Sequence, residues 1–193
     1  VSALSFHRVM SVLYKKDAMN EWGSVVALSY MAAQRVFPDY NDMADNKAYL
    51  ESVARSFGYF FGRDKKVRVN TISQSPTPTT AGSGVKGFDG FIAYAEKMSP
   101  LGNATALECA DYTISMFSDL TKKVTLQNLF HDGGFSNMGV STAIMENFMK
   151  DFQPEFVFHL AKVHRNFFQY YHRHAYNGFG IIGIVSRELS TTS

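Results

Sequence analysis

Tyr40 and Lys47 are the pair of residues in this sequence whose types and spacing could do chemistry. On a helix, seven steps of ~100° return a side chain to within about 20° of the same face. The stretch from Pro38 to about Phe61 carries that periodicity in Met43, Leu50, Val53, Ala54, Phe57 and Phe60, with Pro38 pre-setting the start and Gly62 marking the end. An ammonium near a phenol favours the phenolate and lowers a reference pKa of ~10, which suits a donor to an enolate or alkoxide. The same lysine can hydrogen-bond ribose hydroxyls. The spacing alone is a weak signal, because a second such pair, Tyr59 and Lys66, straddles Gly62 and the polar turn Arg63–Lys66 and should share no helix face.

Other chemistry-bearing residues gather near the same elements. Tyr30 stands where an apolar run, Ser24–Ser29, ends, and in an open parallel sheet that carboxyl edge is where ligands bind. Its ordinary alternative is a half-buried core tyrosine. Ser73-Gln-Ser-Pro-Thr-Pro-Thr-Thr80 follows a second strand at the same edge, with backbone N–H groups and hydroxyls suited to an amide or phosphate, or else is a plain Pro-rich loop. Two G-x-G-x-x-G strings, Gly82–Gly87 and Gly178–Gly183, lack the preceding strand that a dinucleotide fingerprint needs and are read as decoys. His131 at an Asp-Gly-Gly corner is read as structural, and Cys109 as a small residue buried in a helix. His159, His164, His172 and His174 interleave with Phe167, Phe168, Tyr170 and Tyr171, without the convergent spacing of a metal site or the cations of a single-strand nucleic-acid surface.

The elements that must position these residues alternate. Residues 1–19 read as a helix, and Ser24–Ser29 as a strand buried on both faces. The helix from Pro38 to Phe61 precedes a strand over Val67–Ile72 and a long loop over 73–87. Phe88–Met98 reads as a helix, Thr105-x-x-Glu108 as a capping box opening another, and Val124–His131 as a third strand. That rhythm is α/β, part of a Rossmann-type, doubly wound parallel sheet with fewer strands than a complete domain.

Composition bounds the rest. The 193 residues are 46% hydrophobic, 15% aromatic and 19% charged, enough for one globular core and too ordered in character for a disordered chain. No apolar run approaches the ~20 residues of a membrane helix, and the first residues lack a basic, then apolar, leader. One cysteine precludes an internal disulfide, which fits a reducing, cytoplasmic setting. The net charge of +2 comes entirely from the end of the chain, where Lys162, Arg165, Arg173 and Arg187 face Glu155 and Glu188. The near-neutral body gives no electrostatic reason to expect nucleic acid or an anionic membrane.

Five segments together carry a resemblance: Gly23-Ser-Val-Val-Ala-Leu-Ser-Tyr30, Pro38-Asp-Tyr40-Asn-Asp-Met, Lys47-Ala-Tyr-Leu-Glu51, Val67-Arg-Val-Asn-Thr-Ile-Ser73 and His131-Asp-Gly-Gly-Phe-Ser136. In this order and spacing the chain resembles the C-terminal part of the bacterial NADH-dependent enoyl-acyl-carrier-protein reductases, a branch of the short-chain dehydrogenase/reductase superfamily. The wording from Arg35 to Glu51 is most similar to enzymes of the Bacteroides group. The resemblance implies reduction of trans-2-enoyl thioesters by NADH in fatty-acid elongation, with acyl carrier protein as partner and a homotetramer as assembly. It implies Tyr40 and Lys47 as the Tyr-x6-Lys pair and Tyr30 as the second site tyrosine. Thr77, Pro78, Thr79, Thr80 and Ala81, with Lys47, would contact the cofactor, and Gly84, Val85 and Phe88 would belong to a lid over the acyl chain. Ser75 and Pro78 depart from the family pattern.

The resemblance also implies that the glycine-rich pyrophosphate turn of the family lies outside these residues, so that this chain alone would hold NADH poorly. It covers about residues 1–146; residues 147–193 match nothing in the family and read as an appended, foreign or read-through segment. Two other readings stand beside it. A carbonyl-reducing member of the superfamily needs Tyr-x3-Lys, and Tyr40 has Ala44 at that offset. A non-catalytic fragment or interaction module would instead place the work in the aromatic, His-rich tail.

Overall fold

The structure, a computed structural model, describes residues 2–78 and 87–149. Residues 1–145 form one compact unit; of residues 146–193, which group separately, the described part is Glu146–Met149. The elements are α1 (Ser2–Lys15), β1 (Ser24–Ser29), α2 (Asn41–Lys65), β2 (Arg68–Gln74), α3 (Phe88–Met98), α4 (Ala106–Phe117), β3 (Asn128–His131) and α5 (Thr142–Met149). The strands form one parallel sheet in the order β1-β2-β3. Ser29 pairs with Ser73 and Gln74 with His131, so the three strands finish at one edge.

β2 is the middle strand, and six of its seven residues are buried. The strand expected to be buried on both faces, β1, is not: Leu28 is 54% exposed, because β1 has a partner on one side only among the described residues. On one sheet face α1 and α2 pack together, burying Met10, Ala54 and Phe61 against Val67 and Val69, with Phe6, Leu13 and Phe57 at the margin. The helices come this close to the sheet at Gly58, where a Cβ would lie 3.1 Å from the Cβ of Val69.

Two boundaries differ from the sequence expectation. α2 passes through Gly62 to Lys65, because Lys66 takes the left-handed conformation at φ 60°, its N–H donates to the Gly62 carbonyl and the Val67 N–H donates to the Phe61 carbonyl. The third strand begins at Asn128, not Val124. The stretch before it is drawn aside by buried Asn70, whose amide donates to the Val124 carbonyl and accepts from the Gln127 N–H. Arg68, also buried, donates to the carbonyls of Thr121 and Ser118 and to the Thr121 hydroxyl, fixing the turn after α4. The Thr105/Glu108 capping box forms as expected at the start of α4.

Candidate active site

β1 and α2 bring the candidate residues to the carboxyl edge of the sheet. Tyr30 follows the last residue of β1, and a short 3-10 turn, Met31–Ala33, leads from it toward α2. Pro38 does not start the helix. Asp39 sits at φ 62°, and Tyr40 is the residue that caps α2, with its carbonyl accepting the first helical bond from the Ala44 N–H. Tyr40 therefore caps the helix that carries Lys47 and does not lie within it. Its ring meets that of Tyr30 edge to face, with centroids 5.9 Å apart. Phe37 and Phe91 complete the surround of Tyr30 at 5.5 and 6.4 Å. Lys47, one and a half turns into α2, reaches back to β1, where its ammonium donates to the Leu28 carbonyl at 2.7 Å.

The electrostatics correct a second expectation. Burial raises the Tyr40 phenol above its ordinary range instead of the lysine lowering it. Burial also pulls the Lys47 ammonium below its ordinary value. Tyr30 is pushed far up, first by burial, then by the Tyr40 phenol and the Asp132 carboxylate. Both phenols are thus held as neutral donors at physiological pH. The Tyr30 hydroxyl is buried and has no hydrogen-bond partner among the described residues. An apolar wall of Met31, Ala95, Met98 and Phe135, with Phe37, Phe91 and Ile144 against it, stands beside these rings.

The loop after β2 is held from within. Ser75 donates its N–H to the His131 carbonyl and accepts the Ala104 N–H at its hydroxyl, and the Thr77 hydroxyl donates to the Ser75 and Ala104 carbonyls. Thr77 thus supports the loop with its side chain, while Pro78 is exposed. Phe88 opens α3, half-buried. Thr79, Thr80, Ala81, Gly84 and Val85 lie outside the described residues, as do the second glycine string and the four late histidines. Cys109 is a half-buried free thiol 3.8 Å from the Thr77 hydroxyl.

His131 is stacked on Tyr112 at 4.6 Å, with Nδ1 2.8 Å from the side-chain amide oxygen of Gln74. It borders a cavity of about 370 Å³ with Asn103, Ala104 and Glu108, apart from the tyrosines. No group of residues suited to a metal ion exists among the described residues, and none of their helices is long and apolar enough to cross a membrane. Two residues escaped the sequence reading. Asp132 accepts the N–H groups of Gly134 and Ser136 and faces Tyr30 electrostatically. Glu51 is a buried carboxylate on α2 bonded to the end of β1. An acidic residue at helical spacing from Lys47 was the available signal for Glu51.

Residues 1–136 match the family model described as enoyl-(acyl carrier protein) reductase. The NADH-dependent enoyl-[acyl-carrier-protein] reductase FabI of Nostoc is 37% identical over 126 residues, 65% of this chain and 48% of that protein. FabI of Bacillus subtilis is 34% identical over 121 residues, 62% of this chain and 46% of that protein. Among solved structures, the FabI–NADH complex from Alistipes finegoldii superposes with a TM-score of 0.73 at 63% identity, covering 79% of this chain and 53% of that one. The chain spans about half the length of the curated relatives it matches. Its parallel sheet with flanking helices is part of the Rossmann-like α/β architecture of those structures. With the family model spanning the elements that hold both tyrosines and the lysine, the chain belongs to the enoyl-(acyl carrier protein) reductase family.

Proposed function

We propose that this chain serves the reduction of trans-2-enoyl thioesters on acyl carrier protein by NADH, as the part of the site that grips and protonates the substrate. The observation that carries this reading is the edge-to-face meeting of the Tyr30 and Tyr40 rings beside an ammonium fastened to the same strand end. The residues present fit the nicotinamide end of the cofactor. Lys47 commits one of its three donors to Leu28, the Tyr30 hydroxyl has no partner among the described residues, and the loop from Ser75 leaves β2 at the same edge. Lys47 and the segment Thr77, Pro78, Thr79, Thr80 and Ala81 would hold that end.

When bound, NADH supplies hydride to the β-carbon of the enoyl thioester. Tyr40 donates a hydrogen bond to the thioester oxygen, on which negative charge develops; one such donor is worth ~3 kcal/mol, about two orders of magnitude in rate. A phenol held neutral by burial is the form that can donate. Tyr30 assists protonation or shapes the pocket, and Gly84, Val85 and Phe88 cover the acyl chain. Phe37, Phe91 and Phe135 offer that chain an apolar wall.

The same reading takes residues 1–146 as the C-terminal part of the reductase domain and 147–193 as an appended segment, supported by a family match that stops at residue 136. It carries a homotetramer, supported by the exposed apolar side chains Leu4, Val9 and Val12 on α1 and Tyr59 and Phe60 on α2. It also carries a cytoplasmic location, in keeping with the free Cys109. Offering the chain saturating NADH, as its expected weak hold on the cofactor requires, with a trans-2-enoyl thioester and, separately, a 3-oxoacyl thioester tests the reaction class. Reduction of the carbon–carbon double bond alone supports the reading; preference for the ketone, or no turnover of either, defeats it.

A further inference from the structure

Glu51 is 3% exposed and lies one helical turn beyond Lys47, on the same ridge of α2. Its carboxylate accepts the Ser29 hydroxyl at 2.6 Å and the Gln34 side-chain amide at 3.1 Å. The Arg55 guanidinium stands 3.9 Å away with its side chain 56% exposed, too distant and too solvated to be the main compensation. Burying a carboxylate costs several kcal/mol, and an apolar side chain of similar volume would fill the same space without that cost. A charge kept in such a place needs a reason, and its partners supply one. Ser29 is the last residue of β1, between Leu28, which holds Lys47, and Tyr30. Gln34 ends the 3-10 turn on the way to Tyr40.

We infer that Glu51 is a positioning residue that clamps the strand end bearing Tyr30, and the turn leading to Tyr40, onto the helix bearing Lys47. The inference rests on the proposed reading of those three as the reacting groups. Lys47 and Glu51 grip adjacent residues of β1 from adjacent turns of α2, one by donating to a carbonyl and the other by accepting from a hydroxyl. The short O–H···O⁻ bond from Ser29 is of the charge-assisted kind, stronger and more directional than a neutral bond. With two grips, the strand end can neither slide along the helix nor rotate about a single contact. The relation of two phenols to one ammonium is thereby set before substrate arrives.

The test is Glu51→Gln, which keeps the shape and an acceptor for Ser29 but turns an N–H₂ group toward the Gln34 amide. Misplacing reacting groups by ~1 Å can cost about a hundredfold. The expected result is a kcat at least about tenfold lower, KM for the thioester within about twofold of wild type, and a thermal midpoint close to wild type. Adding Gln34→Glu to the same chain faces an acid with an amide again and should restore most of kcat. An independent readout uses the chain without cofactor or substrate. With carbon-13-labelled tyrosine rings, the NMR signals of Tyr30 and Tyr40 should move in Glu51→Gln and return in the double variant, while Tyr14 and Tyr59 stay in place.

Wild-type kcat with unmoved Tyr30 and Tyr40 signals overturns the inference. So does a general shift of all tyrosine signals with a collapsed thermal midpoint, which makes Glu51 a residue of overall stability. If the wild-type chain reduces no enoyl thioester, the proposed function fails, and the ring signals still decide the clamp.

Discussion

Replacing Tyr30 by Phe should make the chain more stable while making the proposed catalyst worse. The phenol oxygen is buried and accepts or donates no hydrogen bond among the described residues. Folding therefore strips it of water without return, at about 1–3 kcal/mol for a group of this kind. The ring itself is well placed, with ring contacts to Phe37, Tyr40 and Phe91 at 5.5, 5.9 and 6.4 Å that phenylalanine keeps. Removing only the oxygen should raise stability by ~1 kcal/mol, or about 2–4 °C in midpoint for a chain of this size. The pH dependence adds a second signature. The folded state holds the Tyr30 hydroxyl protonated well beyond its ordinary range, chiefly through burial. That raised value contributes stability that is complete below the unfolded pKa of ~10 and is lost as pH climbs through the folded one. The advantage of Tyr30→Phe should therefore widen above pH ~10. Thermal unfolding followed by circular dichroism at neutral and alkaline pH measures both effects. A variant less stable than wild type by more than ~0.5 kcal/mol, or a gap that does not widen at alkaline pH, refutes the argument that this hydroxyl is a buried, unmatched donor.

Lys47, lowered by burial, should give NADH binding an alkaline limb that begins below the ordinary lysine value of 10.5, seen by fluorescence titration across pH and absent in Lys47→Met. Arg68→Met should cost about 2–4 kcal/mol in urea unfolding, because it removes the three bonds that the buried guanidinium makes to the Thr121 carbonyl, the Thr121 hydroxyl and the Ser118 carbonyl. Gly58→Ala should lose about 1–3 kcal/mol to overpacking, offset by ~1 kcal/mol of helix propensity, since the new Cβ would lie 2.5 Å from Leu126 Cδ2 and 3.1 Å from Val69 Cβ. Moving Leu126 aside by a companion Leu126→Ala should recover part of that loss.

What could be read from the sequence were the features with local causes. β1 and α3 have the expected limits because each is a short apolar pattern between breakers, and the Thr105/Glu108 box is a three-residue signal that needs no distant partner. The misread features have distant causes. Val124–Gln127 looks like strand, yet the Asn70 side chain takes up the Val124 carbonyl and the Gln127 N–H, with Leu126 at φ 63°. Gly62 looks like a helix end, but the stop is made by Lys66. The spacing to Lys47, seven positions away, points to a lowered Tyr40 phenol, whereas burial raises it and Tyr30 is the ring it meets. That Tyr30 meets Tyr40 and that Lys47 reaches Leu28 depends on contacts between strand and helix that no local pattern shows.

The central claim is that the Tyr40 phenol is the donor to a thioester oxygen in an NADH-dependent reduction. Its most direct test follows the absorbance of the reduced nicotinamide as the chain is mixed with saturating NADH and a trans-2-enoyl thioester, wild type beside Tyr40→Phe. The expected result is thioester-dependent oxidation by wild type that falls about a hundredfold in the variant, whose circular dichroism is unchanged. Equal rates in the two chains, or no thioester-dependent oxidation by wild type, would contradict it.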